Sequence, residues 1–291
     1  MLMMLTSAAL VPSLFAQVDS TLIRVQNTQA DSMIAGMPVY FSTGFQERAA
    51  SLSTLLQEGD AYLHRTLGLR SSFRLAVLDE GDWGQVWSLP YGLPYVSLGA
   101  PWVVVLPAAP EKSVMHPMFS AMLEPDQVQP MIDNIGFHEV GHIYISEYLY
   151  PETHGGPPPV RWLDEFLAQY LAYAVLKETS PERTQIWDVF TGVALSAPAP
   201  RFTSLSAFDA EYYGYLGTPE GTPNYGWYQS AFAKQAAEIF EERGLDFLQE
   251  VKENLAWESF DPWTTASVLA QLEDIHPGFL AWQAALAGGD E

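Results

Sequence analysis

Residues 138–142 have the sequence His-Glu-Val-Gly-His, and residues 162–170 have the sequence Trp-Leu-Asp-Glu-Phe-Leu-Ala-Gln-Tyr. Side chains four positions apart lie on one face of a helix, so His138 and His142 can both point at one metal ion. Glu139 lies one step round the helix from His138 and can reach a water molecule on that ion as a general base. Two neutral nitrogen ligands, an open coordination position and a base meet the needs of metal-assisted hydrolysis. The first motif therefore predicts a helix that carries two ligands of a zinc site.

A third ligand is needed, and the sequence offers several. The longer motif with a third histidine is excluded, because Ile145 and Tyr148 occupy its glycine and histidine places. His154 lies in a Pro/Gly-rich loop that is better explained as a helix connection. Asp164 and Glu165 remain as candidates.

Position favours Glu165 as the ligand. It shares a helix face with Ala168 and Ala172, and small residues let two helix backbones approach closely enough for a short carboxylate to reach the ion. Asp164 shares its face with leucines and remains the alternative ligand, or a residue that supports the ligands. Gln169 lies one turn beyond Glu165 and is predicted to accept a hydrogen bond from the outer nitrogen of a ligand histidine. A solvated helix face would explain Gln169 nearly as well.

Composition sets limits on the function. The 291 residues are 48% hydrophobic and 13% aromatic, which is enough for one bilobed domain or two small ones. With 13 Lys+Arg against 35 Asp+Glu, the net charge of −22 repels phosphate backbones and anionic lipids, so a nucleic-acid partner is not expected. The charge favours cationic or neutral substrates, although solubility alone also explains it. The chain has no cysteine and hence no thiolate metal site.

The N-terminal segment 1–16 is apolar and uncharged, and the polar chain begins at Gln17. This pattern predicts a signal peptide cleaved after Ala16, with an uncleaved anchor as the alternative. No later apolar stretch is long enough to span a bilayer. We therefore expect a protein exported to the bacterial periplasm or the extracellular space, with no stable membrane insertion beyond the N-terminal segment.

Hydrophobic periodicity divides the rest into two parts. Residues 20–125 are predicted to form an N-terminal mixed α/β lobe, with strands at 37–42, 73–78 and 102–107 and a helix at 46–67 that stops at Gly68. Residues 126–291 are predicted to form a helical lobe that carries both motifs. Its helices are expected at 131–150, 161–177, from Pro181 onward, and at 227–242, 244–256, 262–273 and 277–287. The Pro/Gly/Tyr-rich segment 196–226 is expected to be a connection without clear periodicity.

Together the two motifs resemble those of the gluzincin metallopeptidases, and more narrowly of the small bacterial peptidase MA-like proteins, which are related to the aminopeptidase branch. Glu165 follows His142 by 23 residues, and the second motif is similar to the family pattern W-L-x-E-G-x-A-x-Y. The chain departs from it at Phe166, where glycine is common, and this bulky residue is expected to alter the shape of the cleft. The resemblance covers most of the chain beyond residue 35 and implies an α+β, zincin-like fold.

Two further features follow from the resemblance. In that family a strand at the edge of the cleft pairs with the substrate backbone, and either Trp102–Leu106 or the segment 91–98 would be its counterpart here. The family also carries a tyrosine some sixty residues after the glutamate ligand, which donates to the oxyanion of the tetrahedral intermediate. Tyr228 follows Glu165 by 63 residues and matches this position. Tyr225 is the rival, and Tyr228 could instead pack a helix onto the core.

The sequence thus predicts an exported metallopeptidase that holds one Zn²⁺ per chain through His138, His142 and Glu165, with Glu139 as the base and Tyr228 as the oxyanion donor. Its partner would be a peptide or protein substrate. One alternative is a zinc hydrolase that acts on a non-peptide bond. The other is a non-catalytic binding module of the same fold, in which the metal only stabilises the structure.

Overall fold

The structure, a computed structural model, describes residues 21–22, 24–26, 31–34, 36–97, 99–149, 160–255 and 263–288. The predicted signal peptide 1–16 and the loop residue His154 lie outside these residues. Within them, no helix is both long and apolar enough to cross a membrane.

The described strands form one five-stranded sheet in the order β1-β2-β3-β5-β4. The two edge pairs, β1–β2 and β4–β5, are antiparallel, and the two central pairs are parallel. The strands are β1 (Asp31–Ile34), β2 (Met37–Phe41), β3 (Phe73–Leu78), β4 (Tyr95–Val96) and β5 (Trp102–Pro107).

Helices pack against the sheet and make up most of the described residues after residue 110. They are α1 (Gln46–Leu67), α2 (Glu80–Val86), α3 (His116–Ser120), α4 (Pro125–Leu149), α5 (Arg161–Thr179), α6 (Pro181–Ser196), α7 (Leu205–Glu211), α8 (Thr222–Arg243), α9 (Asp246–Asn254), α10 (Thr265–Ile275) and α11 (Phe279–Ala287). The fold is α+β, as the sequence predicted.

Strand β5 shows how the sheet is covered on both faces. Alternate side chains of a strand point to opposite faces. Val104 and Leu106 belong to the main core, which the sheet shares with α1, α4, α5 and α8. Val103 and Val105 belong to a smaller cluster closed by Trp83 of α2. Because both faces are buried, β5 forms a rigid support against which α4 packs.

Most of the predicted helices and strands are confirmed, and local interactions explain where they begin or end. Helix α1 ends where Gly68 takes a left-handed conformation (φ 67°) and its N–H bonds to the carbonyl of His64. Helix α4 begins six residues earlier than predicted and includes Pro130, which the sequence placed outside it. The segment 196–226 was expected to be irregular, but it contains α7 and the first turn of α8.

Five short strands and α-helices were missed: β1, α2, β4, α3 and α7. Each has seven residues or fewer, and such segments are too short to show a period. The segment around Gly81 forms the helix α2. Its start is fixed by Asp79, whose side chain accepts a hydrogen bond from the N–H of Asp82 at 2.9 Å.

Candidate metal centre

Helices α4 and α5 are in close backbone contact beside the histidine motif. A Cβ atom on Gly141 would lie 2.8 Å from the carbonyl oxygen of Ala168 and 3.1 Å from its Cα. Only glycine fits at such a contact of backbone with backbone. The small residues on the Glu165 face of α5 therefore serve the purpose expected of them, since they bring Glu165 within reach of the two histidines.

Three ligand atoms converge at this contact. His138 Nε2 lies 3.0 Å from His142 Nε2 and 3.1 Å from Glu165 Oε2, and the remaining pair, His142 Nε2 and Glu165 Oε2, is 3.8 Å apart. Ligands of a tetrahedral zinc ion with bonds of about 2.0–2.1 Å lie roughly 3.4 Å from one another. The observed distances bracket that value. This buried group could bind a metal ion.

Asp164 takes a different position from Glu165. Its carboxylate lies 2.9 Å from Nδ1 of His142, on the side of the ring away from the convergent atoms. A carboxylate there orients the imidazole so that Nε2 points at the ion. Glu165 thus belongs to the group that could bind a metal ion, whereas Asp164 lies where it can orient the His142 ring.

The charges of the group are strongly coupled. Burial alone would lower the pKa of His142, but the adjacent Asp164 carboxylate raises it to about 10, with Glu165 and Glu139 contributing. Burial would raise the pKa of Glu165, but its hydrogen bond with His138 and the charge of His142 hold it well below the usual range. Without a bound metal ion, these shifts favour a protonated His142 imidazole beside an ionised Glu165 carboxylate.

Glu139 lies in the same buried region, with 7% of its surface exposed. Burial raises the pKa of its carboxyl above the usual range, against the opposing effect of the two imidazoles. A carboxylate that holds its proton more firmly than usual is suited to take a proton from water near neutral pH.

The structure does not place Tyr228 at this centre. The residue is completely buried, and its hydroxyl donates a hydrogen bond of 2.7 Å to the carbonyl of Ser204. Its ring packs against Phe208 and Phe232. The assignment of Tyr228 as oxyanion donor is therefore corrected to the alternative, in which this tyrosine packs α8 onto the core.

Two other tyrosines face the centre instead. Tyr212 donates a hydrogen bond of 2.8 Å to Oε1 of Glu165. Tyr225, the predicted rival of Tyr228, lies close to both Glu165 and Glu139. Burial and the charge of Glu165 raise its pKa well above the ordinary value, so the phenol keeps its proton. Its hydroxyl also interacts with the Glu165 carboxylate, so the phenol lies between that carboxylate and Glu139.

Gln169 is buried but has a different partner from the predicted one. Its Nε2 donates to Oε1 of Gln229 at 2.5 Å, and Gln229 in turn donates to Oε2 of Glu165 at 2.8 Å. Within the described part of the chain, Oε1 of Gln169 and Nδ1 of His138 are each buried without a hydrogen-bond partner. Gln169 is therefore connected to Glu165 through Gln229, and no hydrogen bond joins it to a histidine ring among these residues.

Phe166 does not shape an open cleft, contrary to the expectation from the family pattern. The ring is completely buried among aromatic rings of the C-terminal helices, with centroids 5.6 Å from Phe279, 5.9 Å from Trp282 and 6.3 Å from Phe247. The bulky residue anchors α9 and α11 to α5.

Sequence reasoning missed the roles of Tyr212 and Gln229. Tyr212 follows directly after α7, inside the segment that showed no periodicity, and Gln229 is one of several polar residues on α8. No local spacing relates either residue to Glu165, which precedes them by 47 and 64 positions.

Comparison of the chain with models of protein families, with curated proteins and with solved structures finds no match. Its function therefore has to be argued from the geometry of the site.

Proposed function

We propose that this protein is a zinc-dependent peptidase of the gluzincin type, with a zincin-like fold. One observation carries the proposal: the nitrogen atoms of His138 and His142 and an oxygen of Glu165 converge at 3.0–3.8 Å. Glu139 is buried beside them with a raised pKa. A structural metal site has no need of such a base.

Two imidazoles and one carboxylate, without a thiolate, are a typical donor set for catalytic zinc with an open fourth position. A bound zinc ion would polarise a carbonyl group and make a water molecule more acidic. Glu139 would accept the proton of the attacking water on its carboxylate and pass it to the leaving amine. The Tyr225 hydroxyl would donate to the oxygen that gains negative charge.

A strand edge beside the histidine helix supports a peptide substrate. Strand β5 lies between β3 and β4, so its hydrogen-bonding groups are in use, whereas β4 forms an edge of the sheet and packs against α4. Of the two predicted counterparts of the substrate strand, 91–98 thus contains the available edge. The Ser97 N–H faces β5 and bonds to the carbonyl of Val103 at 2.9 Å. By the alternation of an antiparallel ladder, the N–H and C=O of Val96 face outward, where they could pair with an extended peptide.

The first experiment measures metal content and peptide cleavage in the same preparation. We expect about one zinc ion per chain by elemental analysis of protein purified without a histidine tag. Proteome-derived peptides should be cleaved by this protein and not after treatment with a chelator. The Glu139→Gln variant should keep its zinc, because it is not a ligand, and turn over at least ~10²-fold more slowly.

Each outcome separates the proposal from its alternatives. If zinc-loaded protein cleaved no peptide, the peptidase proposal would be refuted. The remaining candidates would be a hydrolase of non-peptide bonds and a binding module in which the metal stabilises the structure. A Glu139→Gln variant that lost zinc would show that the roles of base and ligand are wrongly assigned.

A second experiment addresses the strand edge. Val96→Pro removes an outward-facing N–H and leaves the ladder to β5 intact, because proline is tolerated on edge strands. We expect KM for peptides to rise by about tenfold or more, with zinc content unchanged. An unchanged KM would contradict the pairing of peptide with β4.

A further inference from the structure

The two oxygens of the Glu165 carboxylate have different surroundings. Oε2 is the oxygen that faces the imidazoles, 3.1 Å from His138 Nε2 and 3.8 Å from His142 Nε2, and it also accepts a hydrogen bond from Gln229. Oε1 accepts the hydroxyl of Tyr212 at 2.8 Å. The carboxylate is therefore held at both ends, and only one oxygen is presented to the site.

The orientation of Gln229 is determined by its neighbour. Its carbonyl oxygen accepts from Gln169 Nε2 at 2.5 Å, so its amide nitrogen has to point at Glu165. The reverse orientation would place two amide nitrogens together and a carbonyl oxygen against a carboxylate. Gln169 lies one turn after Glu165 on α5, while Gln229 comes from α8. The two hydrogen bonds made by Gln229 therefore connect α5 to α8.

Tyr212 is also held in place. Its ring lies 5.3 Å from the ring of Phe208 and 6.1 Å from that of Tyr225, and the guanidinium of Arg161 lies 5.6 Å from its centroid.

We propose that Tyr212 and Gln229 are positioning residues that hold Glu165 in a one-oxygen binding mode toward the metal ion. A carboxylate can bind a metal through one oxygen or through both. If Oε1 joined the ion, it would occupy space that a catalytic zinc site keeps for water or substrate. The Tyr212 hydrogen bond withholds Oε1, and the Gln229 hydrogen bond directs the remaining lone pair of Oε2 at the ion. This inference rests on the proposed zinc site.

Absorption of the cobalt-substituted protein tests the binding mode directly, because the intensity of its visible bands reports the number of ligands around the ion. Tyr212→Phe keeps the ring and removes only the hydroxyl. We expect its cobalt bands to weaken relative to those of wild type, as Oε1 becomes a ligand. Tyr213→Phe is the matched control, because Tyr213 is 63% exposed and stacks with Arg161. It should leave the spectrum unchanged.

Gln229→Met, which preserves length and removes the donor, tests the other oxygen. Loss of a residue that orients a ligand typically costs 10–100-fold in metal affinity. We expect the zinc Kd, measured by competition with a chelating dye, to rise by about tenfold at a melting temperature close to that of wild type.

The outcomes distinguish this inference from the proposed function. Failure of the wild-type protein to bind zinc or cobalt would overturn both. Tight zinc binding by wild type, combined with a wild-type cobalt spectrum in Tyr212→Phe and a wild-type zinc Kd in Gln229→Met, would overturn the inference alone. If Tyr212→Phe proved too unstable to study, the zinc Kd of Gln229→Met would decide.

Discussion

Helix α5 buries two sides that are built in opposite ways. One side carries Glu165 and Gln169, which are 5% exposed and linked by hydrogen bonds to other helices. The other carries Phe166 and Tyr170, which are completely buried against aromatic rings of α8, α9 and α11. Burial of a carboxylate costs free energy unless partners compensate, whereas burial of an aromatic ring stabilises the fold. The aromatic side therefore provides the stability on which the polar side depends.

The largest effect should come from removing one residue on each side. Glu165→Ala deletes a ligand, so bound zinc should fall from about one ion per chain to nearly none. Phe166→Ala should instead cost ~3–5 kcal/mol of unfolding free energy and leave the ligands in place. Elemental analysis and denaturant unfolding in the presence of chelator measure the two quantities. If Glu165→Ala kept its zinc, Glu165 would not be a ligand, and the contrast between the polar and aromatic sides of α5 would be wrong.

The close contact of α4 with α5 offers a sharper test. Gly141→Ala would force a methyl group against the backbone of Ala168, move the helices apart and cost ~1–3 kcal/mol. The zinc affinity of this variant should fall as well, because Glu165 would move away from the histidines. Gly192→Ala is the control, because a Cβ there meets no atom within 4 Å and the helix should gain up to ~1 kcal/mol. Zinc affinity of Gly141→Ala equal to that of wild type would show that the helix spacing does not control the site.

The two tyrosines of α8 should respond in opposite ways. Tyr225→Phe removes a donor beside Glu165 and Glu139, so turnover should drop at least ~10-fold while zinc and stability stay near wild type. Tyr228→Phe removes the hydrogen bond to Ser204 and should cost about 1 kcal/mol of stability with little change in turnover. Steady-state kinetics and thermal unfolding separate the two roles. The reverse pattern would restore Tyr228 as the catalytic residue.

The smallest effect concerns a single proton. Because the pKa of His142 is raised from 6.5 to about 10 beside Asp164, the metal-free protein holds a proton there at pH 7. Zinc binding needs the neutral ring and must release that proton. In Asp164→Asn, titration calorimetry in buffers of different ionisation enthalpy should show up to about one proton fewer released at pH 7. An unchanged number would mean that Asp164 does not control the charge of His142.

The same shift affects the stability of the metal-free protein. A folded-state pKa above the unfolded value stabilises the fold at and below about pH 6.5, and this contribution is lost as the pH rises toward 10. The pH dependence of unfolding in chelator should therefore flatten over this range in Asp164→Asn.

Much of the fold was predictable because its longer elements are locally encoded. The bounds of α1 agree with a run of periodic apolar residues that ends at a glycine, and β3 and β5 agree with runs of apolar and β-branched residues. Short elements such as β4 and α7 are held by tertiary contacts and show no period of their own. The position of β4 at an edge depends on strand order, which no stretch of sequence specifies alone.

The candidate site divides in the same way. The sequence by itself determined the parts that act within one or two turns of helix: the histidine pair, the adjacent Glu139, and the carboxylates after Trp162. It also pointed to the small residues that bring α5 against Gly141. Only the tertiary structure decided that Asp164 lies on the outer nitrogen of His142, that Tyr212 and Gln229 bind the two oxygens of Glu165, and that Tyr225 rather than Tyr228 faces the centre. The physical reason is that helical periodicity relates residues a few positions apart, whereas these partners come from separate helices and meet through packing.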